Sequence, residues 1–433
     1  MEHVVTIKKI ITGGKGLGHL ADGMVVMVSG VLPGETVMAR ETRACRGHRE
    51  ARLLRILEEA PERVEPPCPY YGRCGGCDLQ HAAYPFQLQS KQQMLAEALQ
   101  RAHVALPPGQ PAAPLPSPKP FAYRYRLRLH LDRKGRMGFH RRASNQVVPI
   151  RRCLLVHEQL NQVMARLVDF DWPQKMRTHV QALELLLCPA SGRTIVVLEP
   201  RQRRRSTNFH IPADSASSPA DLVVLATQPS TRGELSPGAT ALLAQSFNGP
   251  RKNYQLSWDH RCFFQVNIAQ NTRLVQQALA LLSPRSRPWS ALDLFCGMGT
   301  FSIPLALAGA RVTGVEHNRH SLHWAERNNR AAGLQGTRFI TADVRSQLET
   351  MVAGREAFTS ILLDPPRQGL GRTAALLPRL EPEQIIYVSC DPATLARDLG
   401  LITAGGYRVQ QVIPVDMFPQ THHIESVTLL ERN

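Results

Sequence analysis

Apolar and polar positions divide the 433-residue chain into stretches of different rhythm. In residues 1–60 the apolar runs are short, at 4–7, 24–28 and 35–39, with glycines at 13, 14, 16, 18, 23, 30 and 34 around them. Short runs punctuated by glycine predict strands joined by turns. A β-rich unit of this size predicts a small barrel, an architecture that often binds oligonucleotides. Residues 51–57 read either as a last strand or as a short helix. Residues 84–102 read as a helix. The following 105–120 hold seven prolines in sixteen positions, which excludes helix or central strand and predicts an extended, flexible linker. From Tyr123 to Leu131 the pattern alternates with period two, so the arginines share one strand face.

After Trp289 the rhythm changes. Buried-strand runs at 291–295, 311–316, 338–343, 360–364 and 385–390 alternate with helical stretches such as 301–308 and 321–332. That alternation predicts a doubly wound α/β sheet with its ligand site at the carboxyl ends of the strands. Residues 407–416 and 426–431 predict a closing hairpin. The expected domains are a barrel at 1–60, a central α+β domain at 61–282 and a catalytic domain at 283–433.

Charge sharpens this division. The chain carries +17, and residues 284–433 contribute 15 Lys and Arg against 14 Asp and Glu. The first 283 residues therefore hold 37 against 21, a net +16. A basic front part joined to a balanced back part predicts a polyanion-binding region attached to a catalytic one. Residues 121–153 hold ten basic residues and one acid, Asp132, with aromatics interleaved, which suits single-stranded nucleic acid. No apolar run approaches the roughly 18 residues of a spanning helix, and residues 1–11 lack a secretory block. A soluble, cytoplasmic protein without membrane contact is expected. The nine cysteines, an odd number, argue against a disulfide framework. Cys68, Cys74 and Cys77 crowd together, a pattern of metal or cluster ligation. By ligand type zinc and an iron–sulfur cluster both fit, and three cysteines on one loop lean toward [4Fe–4S]. Cys45, Cys188, Cys262 and Cys296 read as buried small hydrophobes, Cys296 under the first glycine loop.

That loop, Asp293-Leu-Phe-Cys-Gly-Met-Gly, follows a strand and opens a helix. A Gly-x-Gly turn alone is common to several cofactors. The short loop and the preceding carboxylate favour S-adenosylmethionine over a pyrophosphate. Glu316, nineteen residues after Gly297, ends the next strand where a carboxylate takes ribose hydroxyls. Asp343 ends the third strand, within reach of an adenine. Each acid alone could be a helix cap; their recurrence at strand ends argues for a cofactor site. Asp364-Pro-Pro-Arg367 closes the fourth strand and Ser389-Cys390-Asp391-Pro392 the fifth. Amino-group methyltransferases place an aromatic where Arg367 stands. An arginine there with a cysteine next door favours methylation of carbon. Uracil C5 becomes nucleophilic only after a thiolate adds to C6, and a base must then remove the C5 proton. Cys390, beside a helix start that can lower its pKa, is the candidate nucleophile, and Glu425 the candidate base.

Together these motifs, with Phe263-Phe-Gln265-Val-Asn267 and His423-Ile-Glu425-Ser426, resemble the bacterial RNA uracil-C5 methyltransferases. The 23S rRNA branch, with an N-terminal TRAM barrel and an iron–sulfur cluster, is the most similar. The resemblance implies a Rossmann-like class I methyltransferase domain acting as a monomer on a single-stranded or locally opened rRNA loop. It implies Cys390 as nucleophile and Glu425 as general base. Gln265, Phe295, Thr300, Glu316, Asp343 and Asp364 fall at the S-adenosylmethionine contacts, although Thr300 replaces the usual Asn. Cys153 becomes the fourth ligand of a [4Fe–4S] cluster with Cys68, Cys74 and Cys77. The tRNA branch, lacking barrel and cysteines, is disfavoured. Two rivals are an amino-group methyltransferase using Asp364-Pro-Pro and a non-catalytic iron–sulfur RNA-binding protein.

Overall fold

The computed structural model describes residues 1–169, 179–201, 222–226, 243–283 and 288–433, with 222–226 described by backbone alone. Strands β1 (Glu2–Ile11), β2 (Lys15–His19), β3 (Val25–Ser29), β4 (Thr36–Cys45) and β5 (His48–Glu58) close into a barrel in the order β1-β2-β3-β5-β4. Val5, Ile7, Val26, Val28, Val37 and Ala39 alternate inward and fill it. Residues 51–57 resolve as strand. Gly16 and Gly18, read above as turn glycines, lie inside β2 instead. A Cβ on Gly16 would sit 2.4 Å from Val31 Cγ2 and 2.8 Å from Ile7 Cγ2, so glycine there lets strands pack closely rather than turn.

Helix α1 (Tyr84–Arg101) follows the cysteine loop, and Leu95, Ala98 and Leu99 join the core of the C-terminal sheet. Strands β6 (Arg126–Leu131), β7 (Met137–His140) and β8 (Val147–Pro149), helix α2 (Glu158–Asp169), and strands β9 (Val180–Leu187), β10 (Thr194–Pro200) and β11 (Leu222–Ala226) come next. Their sheet has the order β11-β10-β9-β6-β7-β8. The face expected to stack on bases differs from that picture. Tyr123 is buried and gives its hydroxyl to Pro419 O, while Arg126 and Arg128 pair with Glu184 and Glu199. Arg124 lines the cysteine cavity. Burying the apolar side of β6 draws in the tyrosine that precedes it, and neighbouring acids take up the arginines.

Strands β12 (Leu243–Phe247) and β13 (Tyr254–Trp258) form a ribbon, and α3 (Ile268–Leu281) starts on the Asn267 cap. The C-terminal sheet contains β14 (Ser290–Leu294), β15 (Arg311–Glu316), β16 (Arg338–Thr341), β17 (Ser360–Leu363), β18 (Gln384–Ser389), β19 (Tyr407–Val415) and β20 (Glu425–Arg432). Its order is β16-β15-β14-β17-β18-β20-β19, parallel except for β20, which runs antiparallel to both β18 and β19. Helices α4 (Ser302–Leu307), α5 (Arg319–Ala331), α6 (Val344–Ala353) and α7 (Pro392–Ala404) lie between strands. This is the doubly wound arrangement the run pattern predicts.

Residues 105–120 are not a free linker. Ala112 N–H and Leu115 N–H donate to Val412 O and Pro414 O, and Asp416 N–H donates to Leu115 O. Gln92 and Gln270 take up further carbonyls of the segment, at Pro111, Ala112 and Leu115. Extended, proline-rich backbone keeps its polar groups available: Asp416 N–H and two glutamine side chains take carbonyls of the segment, while β19 carbonyls accept from its N–H groups. Among the described residues no helix is long and apolar enough to cross a membrane.

Candidate functional site

Strand register assembles the site. Leu294 pairs with Leu363, Leu363 with Tyr387, and Ser389 with Ser426. The residues beyond these ends, Phe295, Asp364 and Cys390, therefore lie at neighbouring strand ends, and Asp364 and Cys390 come close to Glu425, the first residue of antiparallel β20. Phe295 has a positive φ of 62°, uncommon outside glycine, where the chain leaves β14. Gly297 and Gly299 continue the turn at φ 55° and 91°, and Thr300 is half-buried beside them. Asp293 is buried. Its Oδ2 accepts from the Ser302 hydroxyl at 2.5 Å while Oδ1 has no partner. Burial, and then the charges of Asp364 and Glu316, push its carboxyl up to about 7.

Glu316 Oε2 accepts from Gly297 N at 3.2 Å and Oε1 from Asn318 N at 2.8 Å. His317 Nδ1 also lies 3.0 Å from Oε1, and Oε2 keeps a second lone pair with which to accept from a ribose hydroxyl. Asp343 is exposed and caps α6 through Ser346 N at 3.1 Å, so it has the structural duty that its recurrence seemed to argue against. Gln265 is buried just ahead of Asn267.

Cys390 is half-buried, and the structure corrects its expected acidity. Burial first, then the Glu425 and Asp364 carboxylates, push the thiol up to about 12. The start of α7 does not help it, because Asp391 already caps Ala393 N and Thr394 N at 3.0 Å. The Arg367 guanidinium acts in the opposite direction. Glu425 is buried, its Oε2 without a hydrogen-bond partner among the described residues, and burial followed by Asp364 pushes its carboxyl up to about 8. Burial pushes Asp364 up to about 7. Arg367 donates from Nη2 to His423 Nδ1 at 2.8 Å, so that nitrogen carries no proton. Sequence reading missed His423 and any role for Arg367, although both flank motif residues.

Cys68, Cys74, Cys77 and Cys153 all border one cavity of about 330 Å³, together with Tyr70, Gln80 and Arg124. Burial pushes Cys77 up to about 12 and Cys153 up to about 11, and Cys74 upward too. Arg124 Nε is buried there without a partner. Among the described residues, no three His, Cys, Asp or Glu side chains converge closely enough to hold a single metal ion. Cys188, Cys262 and Cys296 are buried as expected, whereas Cys45 is half-exposed at the end of β4.

Comparison with known proteins fits this geometry. Residues 83–433 match the family model described as tRNA (Uracil-5-)-methyltransferase. The 23S rRNA (uracil(1939)-C(5))-methyltransferase RlmD of Pseudomonas putida is 36% identical over 98% of this chain and 92% of its own. The protein of the same name from Pseudomonas aeruginosa is 37% identical over 99% and 93%. The crystal structure of Pyrococcus abyssi tRNA (uracil-54, C5)-methyltransferase with S-adenosyl-L-homocysteine superposes with a TM-score of 0.73 at 24% identity, covering 99% of this chain and 100% of its own. That coverage includes the N-terminal barrel, so the barrel does not by itself separate rRNA from tRNA enzymes, contrary to expectation. Fold, family model and relatives agree: the chain belongs to the (uracil-5-)-methyltransferase family.

Proposed function

We propose that this protein methylates C5 of a uridine in 23S rRNA, taking the methyl group from S-adenosylmethionine. The observation that carries this reading is the meeting of Cys390, Glu425, Asp364 and Arg367 at neighbouring strand ends. The substrate is inferred from relatives at 36–37% identity whose names give 23S rRNA. The +16 excess before residue 284 suits a polyanion.

The partly exposed Cys390 gives its thiol proton to solvent and, as thiolate, bonds to C6 of the uracil, while the C5–C6 π pair moves toward O4 to give an enolate with nucleophilic C5. The bound S-adenosylmethionine supplies the electrophilic methyl, which C5 takes as the methyl–sulfonium bond breaks. Glu425 removes the C5 proton, the C5–C6 double bond reforms, and the electron pair of the S–C6 bond returns to Cys390. At rest the thiol is protonated and the buried acids repel a second negative charge. Arg367 is the group that offsets charge on sulfur. The target base leaves its stack to reach this site. Gln265, Phe295, Thr300, Glu316, Asp343 and Asp364 are proposed to hold the cofactor, Glu316 at the ribose.

We also propose that Cys68, Cys74, Cys77 and Cys153 hold a [4Fe–4S] cluster. A zinc ion would draw its sulfurs to about 2.3 Å from one point. Four thiols around a cavity instead suit a polynuclear cluster, in which each iron takes its own thiolate. The cluster's proposed part is structural, and no catalytic step passes through it.

The test is release of tritium from rRNA labelled at uridine C5. Release that depends on S-adenosylmethionine and disappears in Cys390→Ala supports the reading. Methyl incorporation without release would move the acceptor to nitrogen or oxygen. Iron and sulfide analysis of anaerobically purified protein tests the cluster, and equal iron in wild type and Cys153→Ser would remove that ligand.

A further inference from the structure

Helix α1 reaches the loop that carries Glu425 through three side chains on one face. Tyr84, Gln87 and Lys91 are spaced three and four residues apart, which aligns them on a helix. Lys91 is fully buried and donates from Nζ to Asp416 Oδ1 at 2.5 Å and to Phe418 O at 3.0 Å. Tyr84 donates its hydroxyl to Asp416 Oδ2 at 2.8 Å. Gln87 Oε1 accepts from Gln420 N at 2.9 Å, and its Nε2 donates to Gln420 Oε1 at 3.0 Å.

These contacts fall at alternate residues, 416, 418 and 420, just ahead of Glu425. Gln420 needs holding, since its φ of 70° is a conformation that non-glycine residues seldom take unsupported. Opposite α1, Asn267 Nδ2 donates to Met417 O at 3.2 Å and Tyr123 OH to Pro419 O at 3.0 Å. The base is thus delivered by a loop whose path is fixed from both sides. A buried ion pair contributes little net stability compared with apolar packing, so stability alone does not account for Lys91 and Asp416. Rigid presentation of the carboxylate does account for them.

We propose that Lys91, with Tyr84, is a positioning residue for the proton-abstraction step, bracing residues 416–420 so that Glu425 meets the C5 proton. This rests on the assignment of Glu425 as the base. A misplaced base leaves thiolate addition and methyl transfer possible but stalls the resolution of the covalent intermediate.

The experiment compares full-length wild type, Lys91→Met, Tyr84→Phe and Glu425→Gln on rRNA, following turnover, KM for S-adenosylmethionine, and covalent RNA–protein adduct on denaturing gels. In Lys91→Met turnover falls on the order of 10- to 100-fold, the effect of a displacement of about 1 Å. KM for S-adenosylmethionine stays within about twofold, and adduct accumulates as in Glu425→Gln. Tyr84→Phe, which removes a single hydroxyl, shows the same signature more weakly and serves if Lys91→Met does not fold. Wild-type turnover in both variants, or adduct falling in parallel with turnover, overturns the proposal. If Glu425→Gln itself accumulates no adduct, the base assignment falls and the brace falls with it; adduct in Glu425→Gln but none in Lys91→Met overturns the brace alone.

Discussion

Asp78 accepts two hydrogen bonds from His422, one from the backbone N–H at 2.7 Å and one from Nδ1 at 2.6 Å. Asp78 and Leu79 N–H both donate in return to Gln420 O at 3.1 Å. Asp78 follows Cys77 directly, so the loop bearing three of the four cavity thiols is tied to the loop bearing Glu425. Barrel, cysteine loop and reaction site are mechanically continuous: His81, at the other end of the cysteine motif, gives Nε2 to Val31 O of the barrel at 3.3 Å.

Removing the Asp78 carboxylate loosens the catalytic loop before it unfolds the protein. Hydrogen bonds to a charged group are worth about 2 kcal/mol each. In Asp78→Ala, which removes both, amide exchange at 420–424 therefore accelerates on the order of 1000-fold, while exchange in β14 and β18 stays near wild type. Mass-spectrometric hydrogen exchange measures both. Unchanged protection at 420–424 would mean the loop is held without this contact.

The buried acids give stability a particular pH dependence. Glu425 is pushed up to about 8 from 4.5, and Asp293 and Asp364 to about 7 from 3.8. A carboxyl whose folded pKa lies above its unfolded one binds more protons when folded across that interval. Its contribution is complete below the unfolded value and is lost as pH rises through the folded one. The RNA-free protein should lose stability between about pH 5 and about 8. Glu425→Gln should lessen that loss by up to about 4 kcal/mol, since its neutral amide never ionises. Denaturant titrations across this range test it, and parallel curves for the two proteins would show that Glu425 ionises in the folded state as freely as in water.

How much of this is written locally in the chain differs from element to element. Strands β14 to β18 are legible because short, largely apolar runs recur between helical stretches and end at or near a polar site residue, as Leu363 stops before Asp364. The barrel is legible apart from β2, because Gly16 and Gly18 look like turn residues and only the approach of Val31 and Val5 explains them. The four cysteines lining one cavity are also legible, from loop spacing and a family pattern. Lys91 is not. A lysine in a helix reads as solvated, and its partner Asp416 lies 325 residues away. The acidity of Cys390 was misjudged for a similar reason. The helix start is a local feature, whereas Glu425 and Asp364 arrive from other strands and outweigh it.

Arg367 stands where that balance can be shifted experimentally. Its guanidinium opposes the upward push on both Cys390 and Glu425, and it is held by His423, whose ring burial keeps neutral with a pKa down at about 4. A neutral imidazole accepts from arginine, whereas an imidazolium would repel it. Arg367→Ala removes a cation that favours thiolate here, so Cys390 should react with iodoacetamide roughly tenfold more slowly at a given pH, one pKa unit being about 1.4 kcal/mol. Arg367→Lys should recover part of that rate, since it keeps the charge but loses the planar fork that meets His423. Peptide-level mass spectrometry resolves Cys390 from the other thiols, and single-turnover adduct formation on rRNA should follow the same order of variants. Alkylation rates that are equal in all three proteins would place control of the thiolate with the incoming uracil rather than with Arg367.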